Sequence, residues 1–196
     1  MNTQAKILAF AGSTRLESFN RRLLKYAVEG ARASGAEVTP IELADYTLPL
    51  FNQDLESREG LPKPAQKLKQ LFIEHNGLLL ACPEYNSSIT PLLKNTLDWV
   101  SRSESKEEPS LLAYRGKTAA LVSASPGRLG GMRALVQLRL MLGNIGVLVL
   151  PKEESLAEAH EAFDGPLLKD EKKALAFRKI GENLGNFLKN GARERI

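Results

Sequence analysis

In GSTRLESFN, residues 12–20, Ser13, Thr14 and Ser18 bring hydroxyls, Asn20 an amide and Arg15 a guanidinium. All of these donate hydrogen bonds, and a guanidinium suits a phosphate in particular. The stretch follows an apolar run and precedes a segment of helical period. It therefore lies where the unpaired N–H groups of a helix N-terminus face outward and attract an anion. Gly12 is its single glycine. A pyrophosphate needs close backbone approach and leans on several glycines, whereas a terminal monophosphate is met by side-chain donors. Capping of the following helix by Ser18 or Asn20 accounts for one of these residues but not for the set.

Two further stretches are rich in small and polar residues, PEYNSSITP (83–91) and SPGRLGG (125–131). Tyr85 supplies a flat face, Asn86 a short polar arm, and Pro83 stiffens the turn. Such a loop presses amides and an aromatic against a planar ring, or is simply a well-capped turn between strand and helix. Glu84 is one carboxylate with no visible partner in the sequence. Other chemistries lack their motifs. Neither G-x-x-x-x-G-K-[ST], nor G-x-G-x-x-G after the first strand, nor G-x-S-x-G occurs. Cys82 is not followed by the amide cradle and arginine that a thiolate nucleophile wants, so it reads as a buried structural residue. His75 and His160 have no ligand-type neighbours at helical spacing, so no metal is expected. With no catalytic nucleophile or metal ligand in view, the chemistry falls to a bound organic cofactor.

What would bring these three stretches together is the pattern between them. Apolar runs occur at KILAFAG (6–12), EVTPIEL (37–43), GLLLAC (77–82), KTAALVSA (117–124) and GVLVL (146–150). Four lack clean polar alternation, as strands covered on both faces do. The second alternates more and carries Pro40, which suits an edge. Between the runs lie helical stripes: Leu23, Leu24, Ala27, Val28 and Ala31; Ala65, Leu68, Leu71 and Phe72; Leu93, Thr96, Leu97 and Val100; Leu135, Leu138 and Leu142; Phe177, Ile180, Leu184, Phe187 and Leu188. The strict βα alternation predicts an α/β fold with a five-stranded parallel sheet and helices on both faces. Such series commonly take the strand order 2-1-3-4-5, with ligands at the crevice where the order reverses. The loops after strands one, three and four, which are the three stretches above, should meet there. No repeat or linker divides the chain, so residues 1–196 are expected to form one domain, with long connections at 44–63, 102–116 and 151–168.

The chain has 196 residues, 43% apolar and 26% charged, and a net charge of +4. Both signs alternate on helix-patterned segments such as KDEKKALAFRK, which reads as a solvated face rather than a nucleic-acid surface. No membrane-length apolar run and no leader pattern is present, and the lone Cys82 fits reducing surroundings. The expectation is a cytoplasmic protein without membrane insertion or nucleic-acid partner.

GSTRLESFN, LPLFNQDLE and PEYNSSITPLLKNTLDW together resemble the NADPH-dependent FMN reductase family of flavodoxin-like proteins, which includes quinone, chromate and azo-dye reductases. The resemblance spans Ile7 to Gly131, and its most specific part is the P-E-Y-N…L-K-N…D-W string. It implies a flavodoxin-like three-layer sandwich holding FMN, with the phosphate at Ser13, Arg15, Ser18 and Asn20. The flavin ring would lie against Pro83, Glu84, Tyr85 and Asn86, with Ser125 and Gly127 on its other side. It also implies NADPH or NADH as co-substrate, a small-molecule electron acceptor such as a quinone, free flavin, azo dye or chromate, and a homodimer or homotetramer. In the family the helix beginning near Pro91 helps build the subunit interface, which would involve Leu92, Leu93, Leu97 and Trp99. One departure is that Thr90 precedes Pro91 where relatives place a proline and then a glycine. Two rival readings share the cofactor: a flavodoxin-type electron carrier, against which +4 argues because such carriers are acidic, and a non-enzymatic flavin-binding regulator.

Overall fold

The computed structural model describes residues 4–191. The apolar runs form strands whose alternate residues enter two different cores. Along β1 (Lys6–Ala11), Ile7, Ala9 and Ala11 face one side, while Leu8 and Phe10 face the other. The chain continues through α1 (Phe19–Ala33), the short edge strand β2 (Glu37–Pro40), α2 (Gln53–Glu59), α3 (Lys63–Glu74) and β3 (Gly77–Ala81). A tight hairpin, β4 (Glu84–Tyr85) with β5 (Ser88–Ile89), leads into α4 (Pro91–Val100), then β6 (Thr118–Ala124) and α5 (Met132–Asn144). After β7 (Leu148–Val149) and β8 (Glu154–Leu156) come a second hairpin, β9 (Phe163–Asp164) with β10 (Leu167–Leu168), and the long α6 (Glu171–Gly191).

The parallel sheet has the order β2-β1-β3-β6-β7, which is the expected 2-1-3-4-5, with helices on both sides. Its fifth position differs from the expected continuous strand. β7 pairs with the start of β6 at Thr118 and Ala119, and β8 pairs with its end at Val122, Ser123 and Ala124. Pro151, which has no N–H to donate, lies in the interruption. Arg139 of α5 bridges the gap, donating to the carbonyls of Val149 at 3.2 Å and Leu150 at 2.8 Å and to Glu153 at 2.7 Å. At the opposite rim Pro40 ends β2, and Arg32 donates to the outward Val38 carbonyl at 3.4 Å.

The two faces of the sheet are unequal. The face under α1 and α6 is built largely of Ala9, Ala11, Ala81, Ala120 and Val122. The face under α3, α4 and α5 carries Phe10, Leu78, Leu80 and Leu121. Small residues let α1 and α6 approach the sheet and each other. A Cβ on Gly30 would lie 1.8 Å from the Arg178 carbonyl oxygen, and one on Gly181 1.8 Å from that of Ala27, so only glycine fits at either helix. The helical stripes are buried as expected apart from Leu71, which is half-buried, and Phe187, which is 42% exposed and lies outside the α6 seam. Lys69 of α3 is an unforeseen interior residue. Its ammonium is buried and donates to Glu108 at 2.5 Å and to the Arg102 carbonyl at 2.9 Å, pinning the connection after α4. No helix among the described residues is long and apolar enough to cross a membrane.

Candidate functional site

The three polar stretches meet at the carboxyl ends of β1, β3 and β6, where the strand order reverses. In the first, Gly12 donates to the Ala81 carbonyl at 2.9 Å and accepts from the Thr90 hydroxyl at 2.8 Å. A Cβ on Gly12 would lie 3.0 Å from that of Leu93, so this glycine permits α4 to press against the loop. The Ser13 hydroxyl oxygen accepts from the Arg15 N–H at 3.3 Å. Ser18 is buried and caps α1, its oxygen accepting from the Arg21 N–H at 3.4 Å. Thr14 and Arg15 are exposed, and the Arg15 guanidinium lies 5.3 Å over the Phe19 ring. Phe19 in turn stacks on Phe163 of the β9–β10 hairpin at 5.9 Å, so the long 151–168 connection braces this loop from outside.

Asn20, expected to offer its amide to a phosphate, has that amide engaged elsewhere. It is buried, donates to the Ala124 carbonyl at 2.8 Å and accepts from the Ala124 N–H at 2.9 Å. This reciprocal pair ties the first turn of α1 to the end of β6 across the crevice. One amide hydrogen is left over. The partner is 104 positions away in sequence, which hid it from any local pattern.

The second stretch is a two-residue hairpin. Asn86 and Ser87 have φ of 49° and 67°, the left-handed pair that matches the twist of the flanking strands. Gln137 of α5 holds the hairpin, donating to the Ser87 carbonyl at 2.7 Å and accepting from the Ser88 hydroxyl at 2.5 Å. Pro83 is buried and Tyr85 is exposed, its ring free at the mouth. Glu84, which shows no partner in the sequence, is drawn inward onto one. Its side chain is 7% exposed, and one oxygen accepts from Arg133 Nε at 2.8 Å and also from Nη2 of the same guanidinium. The other oxygen, Oε2, is buried and has no hydrogen-bond partner among the described residues. Cys82 is buried just before it. Loss of solvent, followed by the nearby Glu84 charge, pushes its thiol up to about 12, which keeps it protonated and unreactive at neutral pH.

In the third stretch the buried Ser123 hydroxyl donates to the Cys82 carbonyl at 2.7 Å, joining the second and third loops. Gly131 has φ of 91°, and a Cβ there would lie 1.8 Å from Ser123 Oγ. Ser125 Oγ accepts from the Gly127 N–H at 3.2 Å. Behind this turn, Ser125 donates to the Leu156 carbonyl at 3.1 Å and accepts from the Ala159 N–H at 3.0 Å, while Glu158 donates to the Gly127 carbonyl at 3.3 Å. The residues of β8 and the turn after it thus hold the third loop.

The sequence reading missed Thr90, Ser123, Arg133 and Gln137, the side chains that cross-tie the loops. Only Thr90 carried a signal, as a threonine directly before a proline that opens a helix. Its oxygen accepts from the Leu93 N–H at 3.2 Å while its hydrogen goes to Gly12. Of the α4 residues implied for a subunit interface, Leu93, Leu97 and Trp99 are buried within the chain as core, with Trp99 donating to the Pro49 carbonyl at 2.8 Å. Leu92 alone of the four is only half-buried.

The three loops thus bring together cationic and hydroxyl donors, a buried carboxylate oxygen with no partner among the described residues, and an exposed aromatic. Comparison with known proteins places this arrangement in context. The model of a family described as NADPH-dependent FMN reductase matches residues 5–161. The chain is 37% identical over 184 residues to an NAD(P)H-dependent FMN reductase of Pseudomonas aeruginosa, covering 92% of this chain and 94% of that protein. It is 31% identical over 155 residues to a quinone reductase of Escherichia coli K12, covering 79% and 78% respectively. Among solved structures, a flavoenzyme NAD(P)H:(acceptor) oxidoreductase from Paracoccus denitrificans superposes with a TM-score of 0.77 at 24% identity, over 95% of this chain and 98% of that one.

Proposed function

This chain belongs to the NADPH-dependent FMN reductase family, and from that premise we propose that it is an FMN-dependent oxidoreductase passing hydride from NAD(P)H to a quinone-type acceptor. The observation that carries the reading is the pairing of unlike ends in one crevice. The first loop collects donors for a monophosphate: Ser13 and Arg15, the cap residue Ser18, and the N–H groups that open α1. The second collects an aromatic, a buried proline and the unpartnered Glu84 Oε2, an acceptor in want of an N–H such as a flavin ring carries. Donor set and orphan acceptor both fit FMN, whose isoalloxazine supplies two-electron chemistry when bound.

The protein's own part is to hold and orient. Ser13, Arg15 and Ser18 would grip the phosphate, Pro83, Glu84, Tyr85 and Asn86 one side of the ring, and Ser125 and Gly127 the other. Asn20, Thr90 and Ser123 keep the loops in register, so the site needs little reorganisation before a donor stacks. Arg133 fixes Glu84 so that Oε1 is occupied, and Oε2 would be left to accept from the ring. No side chain is asked to form a covalent bond.

Residues 1–196 act as one flavin-binding domain in the cytoplasm, where the buried Cys82 stays reduced. Met132, Val136 and Leu140 recur at helical spacing on α5 and are 46%, 59% and 75% exposed, an apolar stripe that supports a homodimer or homotetramer. Light scattering on the purified protein tests that assembly. The test of the function is a titration. The protein takes up FMN with a shift of its visible spectrum, and the loaded form oxidises NADPH with a quinone at steady state without another protein. Failure to retain FMN refutes the cofactor reading, and FMN binding without turnover favours the electron carrier or regulator.

A further inference from the structure

A second cavity lies one strand outward from the crevice. It occupies about 520 Å³ between α1 and the carboxyl end of β2 and begins at Ala11, the last residue of β1 before the first loop. Leu24 and Val28 form a nearly buried apolar floor, and the half-buried Ile41 forms a wall. Arg21 joins the cavity to the phosphate end of the crevice, its Nη1 donating to the Arg15 carbonyl at 3.3 Å.

The rim carries five charges, and their pairing is uneven. Arg21 Nε lies 2.9 Å from Glu42, and Glu29 lies 3.0 Å from Arg178, so both acids are neutralised. Lys25 has no ion pair among the described residues, and Arg32 donates only to the Val38 carbonyl at 3.4 Å. Both are exposed. They stand seven residues apart on one face of α1, about 10 Å along the axis. An apolar cavity with two separated, unneutralised cations at its lip matches a purine nucleoside phosphorylated at two positions better than a lone phosphate.

We propose that this cavity receives the adenosine end of the hydride donor, the purine on Leu24, Val28 and Ile41, and the 2′-phosphate and pyrophosphate at Lys25 and Arg32. The inference rests on the oxidoreductase reading above and deepens it by naming what would distinguish NADPH from NADH. The position is suitable: from the β1–β3 crevice to beyond β2 is two strand spacings, about 10 Å, within the span of an extended dinucleotide.

The test uses 2′,5′-ADP, a fragment that carries both phosphates but cannot transfer hydride. Calorimetry on the FMN-loaded protein is expected to show saturable binding of 2′,5′-ADP, with 5′-AMP weaker and NADPH competing. Lys25→Ala and Arg32→Ala each weaken 2′,5′-ADP about tenfold, as loss of one charge-assisted contact does; the one that removes the 2′-phosphate contact lowers the kcat/KM ratio of NADPH to NADH by a similar factor, and the other weakens NADPH and NADH alike. FMN affinity and melting temperature stay as in the parent. Unchanged 2′,5′-ADP affinity in the double variant, or no saturable binding to the parent, overturns the proposal. Because binding is read without turnover and can be repeated on the FMN-free protein, its failure is distinguishable from failure of the oxidoreductase reading.

Discussion

Replacing Asn20 by alanine separates two roles that a polar residue in a phosphate loop invites. The amide makes two buried hydrogen bonds to Ala124, at 2.8 and 2.9 Å. Without it the Ala124 N–H and C=O are left buried and unpaired at about 1–3 kcal/mol each, or about 2–6 kcal/mol together. Each kcal/mol lowers the melting temperature of a chain of this length by about 2–4 °C, so thermal denaturation reads the loss directly. The second readout is flavin fluorescence quenching with FMN and with riboflavin, which lacks the phosphate. Asn20 joins the phosphate loop to the strand end behind the ring loops, so its loss weakens both ligands by the same factor. Arg15→Ala behaves differently. It removes one charge-assisted contact of about 1.5–3 kcal/mol, reduces FMN affinity about 10- to 150-fold, and leaves riboflavin and melting unchanged. Asn20→Asp keeps the acceptor for the Ala124 N–H but not the donor, and falls between parent and alanine variant. If Asn20→Ala weakens FMN while riboflavin affinity and melting temperature hold, the residue is a phosphate ligand and the positioning role assigned to it is wrong.

Other changes probe the scaffold. Lys69→Met removes a buried ammonium from Glu108 and the Arg102 carbonyl and should cost about 3–5 kcal/mol in denaturant unfolding. Burial, the largest single effect, raises the Glu108 carboxyl, but the Lys69 hydrogen bond, the Glu104 N–H and the Lys69 charge together outweigh it and hold the group below its ordinary value. A carboxyl so lowered contributes stability above its unfolded value of about 4.3 and loses it as pH falls through the folded value, so the parent has an acid limb that Lys69→Met flattens. Gly181→Ala drives a Cβ to 1.8 Å from the Ala27 carbonyl oxygen and should lower stability by about 1–3 kcal/mol or more, seen as a reduced denaturant midpoint. Glu158 is exposed with φ of 49°, so Glu158→Gly relieves left-handed strain and should raise stability by about 1 kcal/mol in the same assay. Cys82 should resist alkylation in the folded protein at neutral pH and react once unfolded, as mass spectrometry can record.

The sheet was legible because strands covered on both faces leave an unbroken apolar run, and because βα alternation restricts the order of the strands. Gly12, Ser18 and the Thr90–Pro91 helix start were also local signals. What stayed hidden depended on partners far away in sequence. Asn20 reads as a loop donor until Ala124 stands beside it, and Lys69 reads as a solvated charge until the 102–108 connection folds over it. β8 escaped notice because EESL is not an apolar run; its pairing comes from the end of β6 rather than from its own composition. The β4–β5 turn lacks the Asn-Gly pair that marks such hairpins, and Ser87 accepts the left-handed conformation within a hairpin that Gln137 anchors.

The interrupted fifth position of the sheet bears on how this molecule meets copies of itself. A strand arriving at that rim would find hydrogen-bonding groups for only two residues of β7, then a proline, then a short segment of β8 bent to support the third loop. At the other rim it would meet four residues closed by Pro40, with the Val38 carbonyl already taken by Arg32. Neither border templates a growing ladder. A chain rich in buried β-forming runs is thereby kept from stacking strand upon strand, and contact between molecules is left to side chains on the helices.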